Sequence, residues 1–192
     1  SSAVVVATGY CDVPFVPDES RALPSSITQI VPSRYRGPWQ LPPGGVLIVG
    51  ASSTGVQLAD EIQRSGRQVT LAVGSHTRLP RRYRGRDIFW WMDRLGMLTQ
   101  SIDEVHDIGR SRNQPSLQLV GKPDHSSLDV GVLHALGVRL VGRLRGITDA
   151  HVSLADDLVA TTAAAVIKLA EIIDRIDRFI ATTGVAAVSA EP

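Results

Sequence analysis

The centre of the chain carries two short apolar runs separated by an amphipathic segment, an order that predicts an α/β fold. Residues 46–49 form a continuous apolar run typical of a buried strand, and the mostly apolar residues 68–73 predict a second strand. Between them, residues 53–65 carry apolar side chains at helical spacing, and Gly66 follows where a C-cap glycine is expected. Strand, helix and strand in this order predict a βαβ unit with a right-handed crossover.

The pattern is less regular on either side of this unit. Residues 3–7 predict a short buried strand, and the seven prolines within residues 12–45 predict an extended connector with one short strand at 27–31. The elements expected downstream are a helix over 86–96, irregular chain over 100–125, a helix begun by Ser126 or Ser127 and ended by Gly137, a strand over 138–141, a hairpin over 143–154 and a long amphipathic helix over 156–182.

These elements predict a Rossmann-type three-layer α/β domain with a mostly parallel sheet. The expected boundaries are 1–45 for a strand stub and its proline-rich connector, 46–155 for the nucleotide-binding domain, and 156–192 for the C-terminal helix and tail. Because the sequence begins in mid-strand and without an initiator methionine, we expect it to be part of a longer protein.

The amino-acid composition limits the classes of function that the chain could have. Hydrophobic residues make up 43% and charged residues 20%, and a net charge of +1 gives no overall field that would favour nucleic acid or an anionic membrane. The apolar runs are far shorter than the ~20 residues that cross a bilayer, and no signal peptide is visible, so a cytoplasmic protein is predicted. The single cysteine, Cys11, excludes an internal disulfide and a Cys-x-x-Cys redox pair.

The turn after the first central strand has the spacing of a dinucleotide-binding fingerprint. Gly50 permits a tight turn, the small Ser52 lets the backbone approach a pyrophosphate, and Gly55 lets the helix pack closely on the sheet. Phosphate would then lie on the free N–H groups of the helix N-terminus. The alternative is a tight strand–helix turn without a ligand. The candidate pyrophosphate-binding residues are Gly50, Ala51, Ser52, Ser53, Thr54 and Gly55.

The second central strand indicates which dinucleotide binds. NAD sites usually end this strand with an acidic residue that holds the ribose 2′-OH, but no acid occurs between Val69 and Arg86. Arginines in this stretch suit a 2′-phosphate, because guanidinium pairs with phosphate in a bidentate fashion. NADP(H) is therefore predicted, although some of these arginines could instead belong to a solvated loop. The candidates are Ser75, His76 and Arg78, with Arg81 and Arg82 in support.

Other chemistries are less well supported by the residues. Tyr83, Trp90 and Trp91 beside the basic loop could stack nucleic-acid bases, but the tryptophans fit a helical core pattern better. The histidines show no metal-ligand spacing, and no Ser-His-Asp set, Walker loop or Tyr-x-x-x-Lys motif is present. No catalytic residue is therefore predicted, and hydride from a nicotinamide would have to reach a group that this chain does not show.

Several stretches resemble flavin-containing-monooxygenase-like oxidoreductases with two dinucleotide domains. The resemblance is carried by VVVATGYCDVPFVP, YRGPWQLPPGGVLIVGASSTGVQLADEI and RLPRRYRGRDIFWWMDRLGML, and it extends over most of the chain. It implies that NADPH binds at Gly50, Ser52 and Gly55 and passes hydride to FAD, and that Thr8 and Gly9 would lie near the flavin. In the monooxygenases of this family, the reduced flavin then reacts with oxygen.

The chain departs from this family at both ends. It lacks the upstream FAD fingerprint and a second Ala-Thr-Gly return strand, which leaves the NADP(H)-binding part of such an enzyme. Expected partners are the nicotinamide dinucleotide and either an FAD domain or a second copy of the chain, and neither nucleic acid nor a membrane. A nucleotide-sensing regulatory module and a truncated remnant without activity are the alternatives.

Overall fold

The computed structural model describes residues 3, 14, 16–120, 122–148 and 151–185, and within them a parallel sheet lies at the centre. Apart from Ala3, the strand predicted at 3–7 lies outside the described residues. The described strands are β1 (Val46–Val49), β2 (Val69–Ala72), β3 (His76–Arg78), β4 (Arg82–Tyr83), β5 (Arg86–Asp87), β6 (Ser116–Gln118), β7 (Arg139–Val141), β8 (Leu144–Thr148) and β9 (His151–Leu154). The described α-helices are α1 (Ser53–Arg64), α2 (Ile88–Arg94), α3 (Ile108–Arg112), α4 (Val130–Ala135) and α5 (Leu158–Thr183).

The central sheet confirms the predicted βαβ unit. Its strand order is β1-β2-β7 and both pairings are parallel, with Val49 opposite Ala72 and Ala72 opposite Val141. Helix α1 joins β1 to β2, and Gly66 follows it with a φ of +89°, the left-handed conformation expected of a C-cap glycine. The remaining described sheets each have two strands, so the larger three-layer Rossmann arrangement stays a prediction.

The main core lies between the central sheet and helices α1 and α4. Apolar side chains recur at helical spacing along α1, and they meet the alternating inward residues of the strands. The fully or almost fully buried members include Val56, Ala59, Ile62, Val69, Leu71, Leu133 and Val138. Packing of α1 on this sheet fixes where the helix begins, and hence where the glycine-rich turn lies.

Strand β1 is less buried than its apolar sequence predicts. Val46 and Ile48 pack against the main core, but Leu47 and Val49 on the opposite face remain 40% and 51% exposed. The strand lies at the edge of the described sheet, and α1 packs on the face that carries Val46 and Ile48. The expectation of a fully buried strand is therefore wrong for the described structure, and one apolar face of β1 is open.

Three further expectations need correction. Residues 27–31 form no strand, and the connector instead contains 3-10 turns at Asp18–Ala22, Pro32–Arg34 and Pro38–Gln40, since prolines lack the N–H that a strand ladder needs. Helix α4 begins after Asp129, whose carboxylate accepts the N–H of Val132, and not after Ser126 or Ser127. The stretch predicted as irregular contains β6, which pairs in parallel with β3.

The C-terminal part follows the sequence prediction closely. Strands β8 and β9 form the expected hairpin, and α5 runs to Thr183 before Gly184 ends it in the left-handed conformation. Helix α5 contributes Ile176 to a second core with Ile88 and Trp91. Of the two tryptophans predicted to be core, Trp91 is fully buried, and Trp90 is only partly buried against this core. Over the residues that the structure describes, no helix combines the length and the apolar character needed to cross a membrane.

Candidate nucleotide-binding site

The glycine-rich turn lies at the carboxyl edge of the central sheet, between β1 and α1. Gly50 leaves the strand with its N–H donated to the carbonyl oxygen of Ala72 at 3.0 Å, so the turn is tied to the neighbouring strand β2. Its φ of +104° lies in the region that favours glycine. A Cβ built on Gly50 would meet no protein atom within 4 Å other than those of its chain neighbours, so the space directly beside Gly50 is open.

Gly55 is required by the turn for a different reason. A Cβ at this position would lie 1.9 Å from the carbonyl oxygen of Gly50, far inside any real contact. Gly55 therefore packs closely against the backbone of the turn itself, and its predicted role in bringing the helix close to the sheet stays a prediction. Any larger residue would push the first turn of α1 away from Gly50.

The start of α1 presents free backbone donors. Ser52 is the N-cap residue, and its side chain makes no capping hydrogen bond. The first intrahelical bond runs from the N–H of Val56 to the carbonyl oxygen of Ser52 at 3.0 Å, so the N–H groups of Ser53, Thr54 and Gly55 have no acceptor within the helix. Together with the positive end of the helix dipole, these donors favour an anion such as a pyrophosphate. The open space and the free donors fit the phosphates of a dinucleotide.

One side of the turn is braced by the segment that contains β6. The Ser53 hydroxyl lies 2.9 Å from the carbonyl oxygen of Leu117 and 3.2 Å from the N–H of Leu119. The buried Gln118 donates its Nε2–H to the carbonyl oxygen of Ala51 at 2.6 Å. These bonds fix the conformation of the turn before any ligand arrives. Gln118 carries no signal in the sequence, because the apolar pattern around it is too short to indicate a strand.

The end of β2 brings a second set of polar groups to the same edge of the sheet. Ser75 is exposed, and its hydroxyl accepts a hydrogen bond from Nη2 of Arg143 at 2.9 Å. His76 is buried, with Nδ1 2.9 Å from the carbonyl oxygen of Gly74; since a carbonyl only accepts, Nδ1 carries the proton. His76 therefore holds the chain after β2 in place, while Ser75 and Arg143 face solvent. Sequence reasoning did not single out Arg143, although it follows the strand predicted at 138–141.

The arginines predicted to bind a 2′-phosphate have partners within the protein. Arg78 Nε lies 2.6 Å from a carboxylate oxygen of the buried Asp129, and Arg81 Nη2 lies 2.6 Å from a carboxylate oxygen of Asp87. Arg82 is exposed and donates to the carbonyl oxygen of Gly85 at 3.1 Å. Each of these guanidinium groups is therefore already engaged, two of them by carboxylates.

The structure thus gathers the glycine-rich turn, Ser75 and Arg143 at one edge of the sheet. The side chains of Arg81 and Arg82 instead contact Asp87 in β5 and Gly85 in the turn between β4 and β5. Thr8 and Gly9, which the resemblance places near a flavin, lie outside the described residues. Among the side chains that the structure describes, no group of three or more His, Cys, Asp or Glu residues is arranged to hold a metal ion.

Comparison with known proteins relates the chain to oxidoreductases. It is 38% identical over 120 residues to an uncharacterized oxidoreductase CzcO-like protein of Geobacillus kaustophilus, an alignment that covers 62% of this chain and 34% of the relative. It is 35% identical over 98 residues to uncharacterized oxidoreductase CzcO of Bacillus subtilis, covering 51% of this chain and 28% of the relative. The same figures apply to CzcO of Bacillus velezensis. No family model matches the chain, and no solved structure matches it.

These comparisons confirm the expected relationship to oxidoreductases. The matched part spans about a third of the length of these relatives. Their names specify neither a cofactor nor a substrate, so FAD, NADP(H) and monooxygenase activity stay predictions.

Proposed function

We propose that the chain is the NADP(H)-binding part of an FAD-dependent, monooxygenase-like oxidoreductase. The observation that carries this proposal is the open glycine-rich turn at the carboxyl edge of a parallel βαβ unit, in a chain similar to oxidoreductases. This edge is where α/β sheets bind nucleotides. A nicotinamide dinucleotide bound there would supply hydride, and the flavin of the intact enzyme would accept it.

The chain's own residues have binding and orienting roles under this proposal. The N–H groups of Ser53, Thr54 and Gly55 would hold the pyrophosphate, and the brace formed by Gln118 would keep the turn preorganised. Preorganisation lowers the conformational cost of binding. No described residue is assigned a proton transfer, since hydride transfer between two cofactors needs orientation and exclusion of water more than acid–base groups.

The variant Ser52→Asp tests the proposed pyrophosphate site without weakening the fold. Aspartate is a preferred N-cap residue, so the helix should be as stable as before or more so. A carboxylate beside the phosphates would repel them by up to about 4 kcal/mol at 4 Å and an effective dielectric constant of 20. We therefore expect NADPH affinity, measured by titration calorimetry, to fall at least tenfold (about 1.4 kcal/mol).

A matched control is Ser25→Asp, which makes the same charge change at an exposed position of the connector. Its NADPH affinity should equal that of the unmodified chain, and thermal unfolding should show both variants folded. Undiminished NADPH binding by a folded Ser52→Asp would show that the pyrophosphate site lies elsewhere. Absence of NADPH binding by the unmodified chain would contradict the proposed function itself.

A further inference from the structure

We infer that Arg143, together with Ser75, recognises the 2′-phosphate of NADP(H) and so determines the choice between NADP(H) and NAD(H). The inference rests on the proposed function and deepens it, since it assigns the specificity of that site to a residue outside the basic loop after β2. Three observations carry it: where the guanidinium lies, how its backbone is held, and how the other candidate arginines are engaged.

Arg143 reaches the position where a ribose 2′-substituent would be recognised. In dinucleotide-binding folds, the group that reads this substituent follows the second strand of the βαβ unit. Here Nη2 of Arg143 donates to Ser75 at 2.9 Å, and Nε lies 4.0 Å from where a Cβ of Gly74 would be. The guanidinium therefore lies over the end of β2, although the residue itself follows β7. Only one donor is used by Ser75, which leaves most of the planar fork for phosphate oxygens.

The backbone of Arg143 is held on both sides. Its N–H donates to a carboxylate oxygen of Asp157 at 3.0 Å, and its carbonyl oxygen accepts the N–H of Ala155 at 2.8 Å. Just before it, Gly142 approaches so closely that an added Cβ would lie 2.0 Å from the carbonyl oxygen of Ala155. The start of the arginine side chain is thus fixed by the hairpin and the beginning of α5. A pre-placed cation loses less entropy on binding phosphate than a free surface arginine.

The electrostatic surroundings also favour Arg143 over Arg78 and Arg81, whereas Arg82, which bonds only to the carbonyl oxygen of Gly85, is left to the experiment. Arg78 and Arg81 each lie 2.6 Å from a carboxylate, so using either for phosphate would mean breaking or sharing an ion pair. Within the described part of the chain, Arg143 has no carboxylate within ion-pair distance of its guanidinium, and its side-chain partner is the neutral Ser75. No carboxylate therefore pairs with this guanidinium, which leaves it available to an anion.

The test compares NADP⁺ with NAD⁺, two dinucleotides that differ only in the 2′-phosphate, by titration calorimetry on the whole chain. The test variant is Arg143→Gln, which keeps both backbone hydrogen bonds and removes only the charge and the fork. The matched control is Arg139→Gln, which makes the same change at the amino end of β7, whereas Arg143 follows the carboxyl end of the same strand. Arg78→Gln and Arg82→Gln examine the competing arginines.

We expect the unmodified chain and Arg139→Gln to bind NADP⁺ at least tenfold more tightly than NAD⁺. Arg143→Gln should lose this preference while keeping its affinity for NAD⁺. If Arg143→Gln keeps the preference, or if Arg78→Gln or Arg82→Gln removes it instead, the assignment to Arg143 is overturned while the nucleotide site stands. Equal binding of the two probes by the unmodified chain would refute recognition of a 2′-phosphate, and binding of neither would refute the proposed function.

Discussion

Replacing Asp129 by alanine removes two contacts of one buried carboxylate. This side chain is only 4% exposed; one oxygen accepts the N–H of Val132 at 3.0 Å and caps α4, while the other lies 2.6 Å from Nε of Arg78, which is 45% exposed. Loss of an N-cap costs about 1 kcal/mol, and an ion pair with a half-exposed partner contributes about 0.5–1 kcal/mol. The expected loss in the free energy of unfolding is therefore about 2 kcal/mol.

Asp129→Asn separates the two contributions. Asparagine keeps an oxygen for the N–H of Val132 and is itself a good N-cap, so only the charge pair with Arg78 is lost, a cost of about 0.5–1 kcal/mol. Urea unfolding measures both variants; with a slope of about 1–3 kcal/mol per molar, the alanine variant should shift the midpoint by about 1 M and the asparagine variant by about a third to a half of that. Equal shifts for the two variants would refute the capping argument, since the charge alone would then account for the loss.

Two more predictions concern the glycine-rich turn and the β4–β5 hairpin, whose Tyr83 contacts α5. Gly55→Ala should destabilise the protein by about 1–3 kcal/mol, because its Cβ would lie 1.9 Å from the carbonyl oxygen of Gly50, whereas Gly45→Ala, with its nearest contact at 3.7 Å, should be close to neutral in the same urea titration. Burial, and then the hydrogen bond that it donates to Asp177, raise the pKa of the Tyr83 hydroxyl above its ordinary 10.0. The pKa of Tyr83 is higher in the folded than in the unfolded protein, so the neutral hydroxyl contributes to stability. This contribution is complete below pH 10 and is lost as the pH rises through the folded-state pKa. Thermal unfolding between pH 9 and 11 should therefore show a steeper fall of the melting temperature with pH for the unmodified chain than for Tyr83→Phe. Parallel plots of melting temperature against pH would contradict the assigned cause.

The parts of the fold that depend on local pattern were predictable. The βαβ unit and the C-terminal helix each combine a clear hydrophobic period with a glycine that ends a helix, and their observed bounds lie within about two residues of the predicted ones. The short strands β3, β4, β5 and β6 were missed because two or three residues carry no readable period. Their formation depends on partners elsewhere in the chain, such as β3 for β6.

The candidate site was predictable in the same limited way. The order of glycines identified the turn, and the absence of an acid after β2 indicated a 2′-phosphate. The packing of β7 beside β2 decides which arginine lies where that phosphate would bind. Carboxylates that are distant in sequence, such as Asp129, decide which arginines already form an ion pair. A cluster of arginines in the sequence therefore indicated the kind of chemistry, but it did not distinguish a paired guanidinium from an uncompensated one.

The most direct test of the central claim is an NMR titration of the ¹⁵N-labelled chain with NADP⁺, following the backbone amides. The account predicts that the amide signals of Ser53, Thr54 and Gly55 shift most, together with those of Ser75 and Arg143, because phosphates would contact these groups. Saturable shifts confined to another part of the chain, or no shifts at millimolar NADP⁺, would contradict a dinucleotide site at the glycine-rich turn.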